Sequence, residues 1–70
     1  MISIEEIQAR LREAISQSGK SYSQIAKELG VSQPTISKYM HLNKYPSIDT
    51  FANLCEILDV SADEILCLRK

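Results

Sequence analysis

Seventy residues are enough for one domain with a thin core, so strong local signals or a partner must support the fold. Hydrophobic residues make up 44% and charged residues 24% of the chain, too apolar a mixture for disorder, and no apolar run approaches a membrane span in length. A net charge of −1 excludes a chain that is basic throughout and leaves room only for a local basic patch.

The first residues, Met1 to Glu6, lack the basic start and apolar stretch of a signal peptide, so the expected location is cytoplasmic. Helical spacing then begins. Ile4, Ile7, Leu11 and Ile15 share one face of a first helix expected over about 4–18. Ser3 precedes it as an N-cap, with Glu6 in the reciprocal capping position and Ile2 and Ile7 as an apolar pair around the cap. Gly19 is its stop. A second helix over about 22–29 starts after Ser21, pairs Ser21 with Gln24, and carries Tyr22, Ile25, Ala26 and Leu29 inward. Gly30 ends it.

A third helix over about 33–41 follows Ser32. Pro34 falls in its first turn, where proline costs least, and Val31 and Ile36 bracket the cap. Ile36, Tyr39 and Met40 point inward. Pro46 separates this helix from a fourth, over about 48–58 after Ser47, with Ile48, Phe51, Leu54, Cys55 and Leu58 in its stripe. A fifth, over about 62–68, follows Ser61 and carries Ala62, Ile65 and Leu66; Ser61 pairs with Glu64, and Val60 with Ile65. No stretch alternates with period two, so the fold class is all-α, with 1–70 a single domain.

A helix, a tight glycine turn and a second capped helix make a helix-turn-helix unit from the second and third helices. Ala26, four residues before Gly30, lets the next helix cross closely. The outward face of the third helix holds Gln33, Pro34, Ser37 and Lys38, with nothing apolar large enough for a core. Charge is uneven along the chain. Lys20, Lys27, Lys38 and Lys44 face only Glu28 between 20 and 45, whereas 46–68 holds five acids and no base. The middle of the chain can therefore meet an anionic ligand. Cys55 and Cys67 have no CxxC partner and no histidine at ligand spacing, and are expected as small buried hydrophobes. The sequence contains no nucleophile–base set, metal spacing or phosphate loop, so neither an enzyme nor a cofactor is expected.

The ordered set S-x-x-x-I-A-x-x-L-G-V-S-Q-P-T-I-S-K-Y, then P-S-I-x-T-F and V-S-x-D-E-I-L, resembles the phage repressor/Cro type of helix-turn-helix, the XRE family, from about Ile7 to Leu66. The resemblance implies a compact five-helix lambda-repressor-like DNA-binding domain. It implies a recognition helix in the major groove, with Gln33, Pro34, Ser37 and Lys38 at base edges. It places Ser21, Tyr22, Ser32, Asn43, Lys44 and Tyr45 at phosphates, with Lys20 and His41 as further phosphate candidates.

The chain departs from the family at four positions. Tyr22 stands where glutamine is frequent. Leu42 stands where glycine is usual, so the third helix is expected to end elsewhere, on Asn43 in a left-handed conformation. Ile15 and Met40 stand where the family often has an Arg–Glu pair linking two helices, so an apolar contact is expected in its place.

The function expected is a sequence-specific transcriptional regulator or repressor of double-stranded DNA, either stand-alone or the DNA-binding part of a longer repressor. A weak homodimer is expected through the fifth helix, with Ile65, Leu66 and Leu68 beside Cys67 as interface candidates. The alternative is a protein-interaction module, such as an antitoxin that binds a partner protein through a helical face. No small-molecule ligand is evident.

Overall fold

Residues 1–68 are described in the computed structural model. They form α1 (Ile4–Gln17), α2 (Tyr22–Leu29), α3 (Gln33–His41), α4 (Ile48–Leu58) and α5 (Ala62–Ile65), with no strand among the described residues. Each helix starts after a serine in extended conformation. The Ser3 hydroxyl accepts from the Glu6 amide at 3.2 Å and the Ser21 hydroxyl from the Gln24 amide at 3.1 Å, each satisfying one orphan donor of a first turn. Ser61 instead accepts from Asp63, at 3.3 Å.

Ser32 and Ser47 make no such cap bond. The Ser47 hydroxyl donates to Asp49 Oδ1 at 2.6 Å and lies 2.9 Å from Thr50 Oγ1. That bond, followed by the backbone amides of Thr50 and Asp49 itself, holds the Asp49 carboxyl below the usual carboxylate range. The stability it contributes is complete above the unfolded-state pKa and is lost as pH falls through the lower folded-state value. Ser47→Ala is expected to move the Asp49 titration upward, towards the ordinary value, in a carbon-detected NMR titration. An unmoved midpoint would show that the amides alone hold it.

The lengths of two helices differ from expectation. α1 stops at Gln17, one residue early: the Ser18 hydroxyl donates to Ile15 O at 2.7 Å and accepts from the Lys20 amide at 3.1 Å. α5 is a single turn rather than a helix to Leu68. Cys67 takes φ 63°, and the Leu68 amide returns to Asp63 O at 2.9 Å. Asp59, also left-handed (φ 55°), terminates α4 with the Val60 amide on Cys55 O at 3.0 Å, a role that aspartate fills more easily than most residues.

α1 packs on α3 and α5, and α2 packs on α3 and α4. Ile15, Ile25, Ile36 and Leu54 are the largest fully buried side chains, one from each of the first four helices. Leu11, Tyr39, Cys55, Leu58 and Ile65 surround them, and Met40 packs half-buried against the same cluster. Burial pushes the Cys55 thiol up from its ordinary value, and both cysteines are free. Ile65 is only 3% exposed. It belongs to the core and cannot serve as the interface residue expected from its position, because the short α5 is turned inward to close the α1 face. Lys20 is also committed elsewhere: its ammonium lies 3.1 Å from Glu28 Oε1 and donates to Ile57 O at 3.1 Å, tying the start of α2 to the end of α4.

Candidate nucleic-acid interface

The turn between α2 and α3 is built around Gly30, at φ 79°, ψ 28°. Its amide and that of Val31 both donate to Ala26 O, at 2.9 and 3.0 Å. A side chain would strain this left-handed position, although open space surrounds it. Val31 lies half-buried in the junction, and Ile36 anchors α3 with no exposed surface. Pinning α3 through Ile36 and Tyr39 leaves its opposite face outside. Gln33, Pro34 and Lys38 are exposed and Ser37 is half-buried. Gln33 is the first residue of the helix and Pro34 the second.

The Ser32 hydroxyl sits 2.9 Å from Thr35 Oγ1 rather than on a backbone amide. The first turn of α3 therefore carries no side-chain cap, which suits an anion at its positive end. The N-cap Ser21 is exposed and Tyr22 half-buried, its ring 6.4 Å from the His41 ring and tilted by 58°. This brings the start of α2 and the end of α3 together. Asn43, Lys44 and Tyr45 are exposed in the following loop. Lys38 and Lys44 line one groove of about 270 Å³ with Thr35, Tyr39 and Tyr45, so two lysines separated in sequence share a concave surface. Burial raises the Tyr39 hydroxyl above its ordinary pKa.

α3 does not end on Asn43. Its C-cap is Leu42 in extended conformation (φ −124°, ψ 167°), and Asn43 does not have positive φ. The carbonyls this exposes are taken by two side chains of α1 that the sequence reading passed over. Gln8 Nε2 lies 3.1 Å from Leu42 O, 3.3 Å from Lys44 O and 3.5 Å from Tyr39 O. Arg12 donates from Nε to Tyr39 O at 3.1 Å and from Nη2 to Leu42 O at 3.2 Å. Gln8 is 5% exposed, the one buried polar side chain among the described residues. The available signal was a glutamine on the edge of an otherwise apolar stripe, four residues from an arginine on the same face.

Among the described residues no helix is long and apolar enough to cross a membrane, and no cluster of His, Cys, Asp or Glu could hold a metal ion. Comparison with curated proteins and with solved structures gives no match. A helix-turn-helix family model, HTH_3, matches residues 8–65, which span α2, the Gly30 turn, α3 and the whole of α4. The chain thus belongs to the XRE-type helix-turn-helix family and is a DNA-binding regulator in general character.

Proposed function

We propose that this protein is a sequence-specific transcriptional regulator, acting in the cytoplasm without catalysis, that reads the major groove of double-stranded DNA with α3. The observation that carries this is the exposed, uncapped N-terminal turn of α3. Gln33 and Pro34 stand at its tip and Lys38 one turn on, held outward by the buried Ile36 and Tyr39. Glutamine offers a donor and an acceptor together, matching the major-groove edge of adenine; lysine donates to guanine or phosphate; Pro34 presents apolar surface to a thymine methyl. Ser37 completes this face. Ser21 and Tyr22 at the start of α2, Ser32 at the cap of α3, and Asn43, Lys44 and Tyr45 in the following loop supply the phosphate contacts that fix register.

Selection of bound duplexes from a random DNA pool tests this function. A shared motif is expected, with binding that weakens steeply as salt rises. An interaction module of the antitoxin type would select no motif and show no salt dependence. Within the proposed interface, Lys44→Ala is expected to weaken binding to all sequences alike and to lower the salt slope by about one unit, as loss of a single phosphate contact does. A sequence-dependent loss at Lys44 would make it a base reader.

One helix-turn-helix unit covers too little DNA for tight binding, so two copies are expected on half-sites about one helical turn apart. With Ile65 in the core, the apolar surface beside α5 that remains for self-association includes Leu68, 60% exposed, and the groove of about 210 Å³ where Leu66 meets Ile4, Ile48 and Phe51. Sedimentation on a palindromic site is expected to show two copies per duplex. A single copy per duplex would remove the dimer from this proposal.

A further inference from the structure

We propose that Gln8 and Arg12 are positioning residues for DNA binding: from α1 they set the geometry of the Leu42–Tyr45 loop that carries Lys44 and Tyr45. The inference rests on the DNA-binding role proposed above and assigns a working part to a helix that does not itself face the groove.

A helix ends with unpaired carbonyls, and a left-handed residue after the last turn ordinarily folds the chain back to cover them. α3 has no such residue. Positive φ occurs only at Gly19, Gly30, Asp59 and Cys67 among the described residues, and Leu42 is extended. The loop therefore leaves α3 through a bend at Leu42 and Asn43 that its own backbone does not secure. Side chains from a different helix supply the missing bonds. The Leu42 amide takes Lys38 O at 2.9 Å, the last helical bond. Beyond it, the Arg12 fork spans Tyr39 O and Leu42 O, one carbonyl on each side of the helix end. The Gln8 amide group has two protons, shared among Tyr39 O, Leu42 O and Lys44 O.

These bonds differ from an ordinary cap in reach. They extend past the helix to the carbonyl of Lys44, whose side chain lines the groove with Lys38. They also cross 31 to 36 residues of sequence in the case of Gln8 and so join the α1 framework to the loop directly. Gln8 is buried by packing, and the half-buried Arg12 is held by its two bonds to Tyr39 O and Leu42 O. The guanidinium sits at the C-terminal, negative end of α3. A loop held at two carbonyls, Leu42 O and Lys44 O, and tied to Tyr39 O in the last turn of α3, meets phosphate in one conformation and loses little freedom on binding.

The test is a double-mutant cycle of Arg12→Met with Lys44→Ala, measured as affinity for a mixed-sequence duplex. Hydrogen exchange of the Leu42–Tyr45 amides is measured on the free proteins. Arg12→Met is expected to stay helical by circular dichroism, to exchange faster in the loop, and to lose affinity by about tenfold, the scale of one lost phosphate contact. Lys44→Ala should lose a similar factor, and the double variant no more than the larger single loss, because Arg12 acts through Lys44. Arg12→Lys, which keeps the charge but lacks the fork, should recover only part of the affinity. If Arg12→Met fails to fold, Gln8→Met enters the same cycle with the same expectation.

Losses that multiply in the double variant would make Arg12 a phosphate contact in its own right and overturn the proposal. Unchanged affinity in a folded Arg12→Met variant would overturn it as well, as would full rescue by lysine. If the unaltered protein binds no duplex at all, the DNA-binding role fails. The positioning claim is then decided by exchange alone, and unchanged loop protection in Arg12→Met overturns it.

Discussion

Ile15→Arg is expected to remove most of the protein's stability. Ile15 is 1% exposed, at the centre of the cluster where α1 meets the other helices. A guanidinium there has no carboxylate partner, and an uncompensated buried charge costs about 3–5 kcal/mol. Small domains have total stabilities near the low end of roughly 5–15 kcal/mol, so one such loss removes most of the margin. Met40→Glu alone should cost less, about 1–3 kcal/mol, because Met40 is half-buried and its carboxylate has a way to solvent. The double variant places the charges that the family often carries at these positions and should recover a good part of the loss. Urea denaturation of the four proteins measures this. Additive losses would show that the two side chains do not meet, although both belong to one apolar cluster. If the two meet, an apolar contact in place of the ion pair avoids the desolvation of charge.

Gln33→Ala is expected to cost about 1–3 kcal/mol of binding to the selected DNA site and to relax the preference at one base pair. Gln33 is exposed at the first position of α3, so its removal leaves the fold intact and the effect appears in binding alone. Its amide can pair with both groups on the major-groove edge of adenine, and alanine leaves those groups without partners. Titration of the selected site against a scrambled duplex provides the readout. Equal losses on both would make Gln33 a phosphate contact and shift base reading to Ser37, Lys38 or the shape of the DNA.

The helical architecture was legible because its signals are local. Serine caps, glycine and proline stops and period-3.6 stripes each act within a few residues, and they agree along the chain. The all-α class, the five helices in order and the helix-turn-helix between Ala26 and Ile36 follow from them. The same logic explains the misreadings. Leu66 continues the apolar stripe of the fifth helix, so a helix to Leu68 was the local expectation. Nothing local announces that Cys67 turns left-handed. Asn43 was expected to end α3 because asparagine tolerates that conformation, but the carbonyls found donors elsewhere.

The sequence by itself determined which segments are helical, where most of them begin, and which face of α3 is free of core residues. The tertiary structure alone decided how the loop after α3 is held, because the donors on Gln8 and Arg12 lie 27 to 36 residues from their carbonyls. It decided that Lys20 is spent on Glu28 and Ile57, that Lys38 and Lys44 share a groove, and that Ile65 closes the core. Helix starts depend on contacts three or four residues away and can be read along the chain. The use of a charge or an amide depends on what distant helices bring beside it, and only the packed arrangement of α1 against α3 and α5, and of α2 against α4, supplies that.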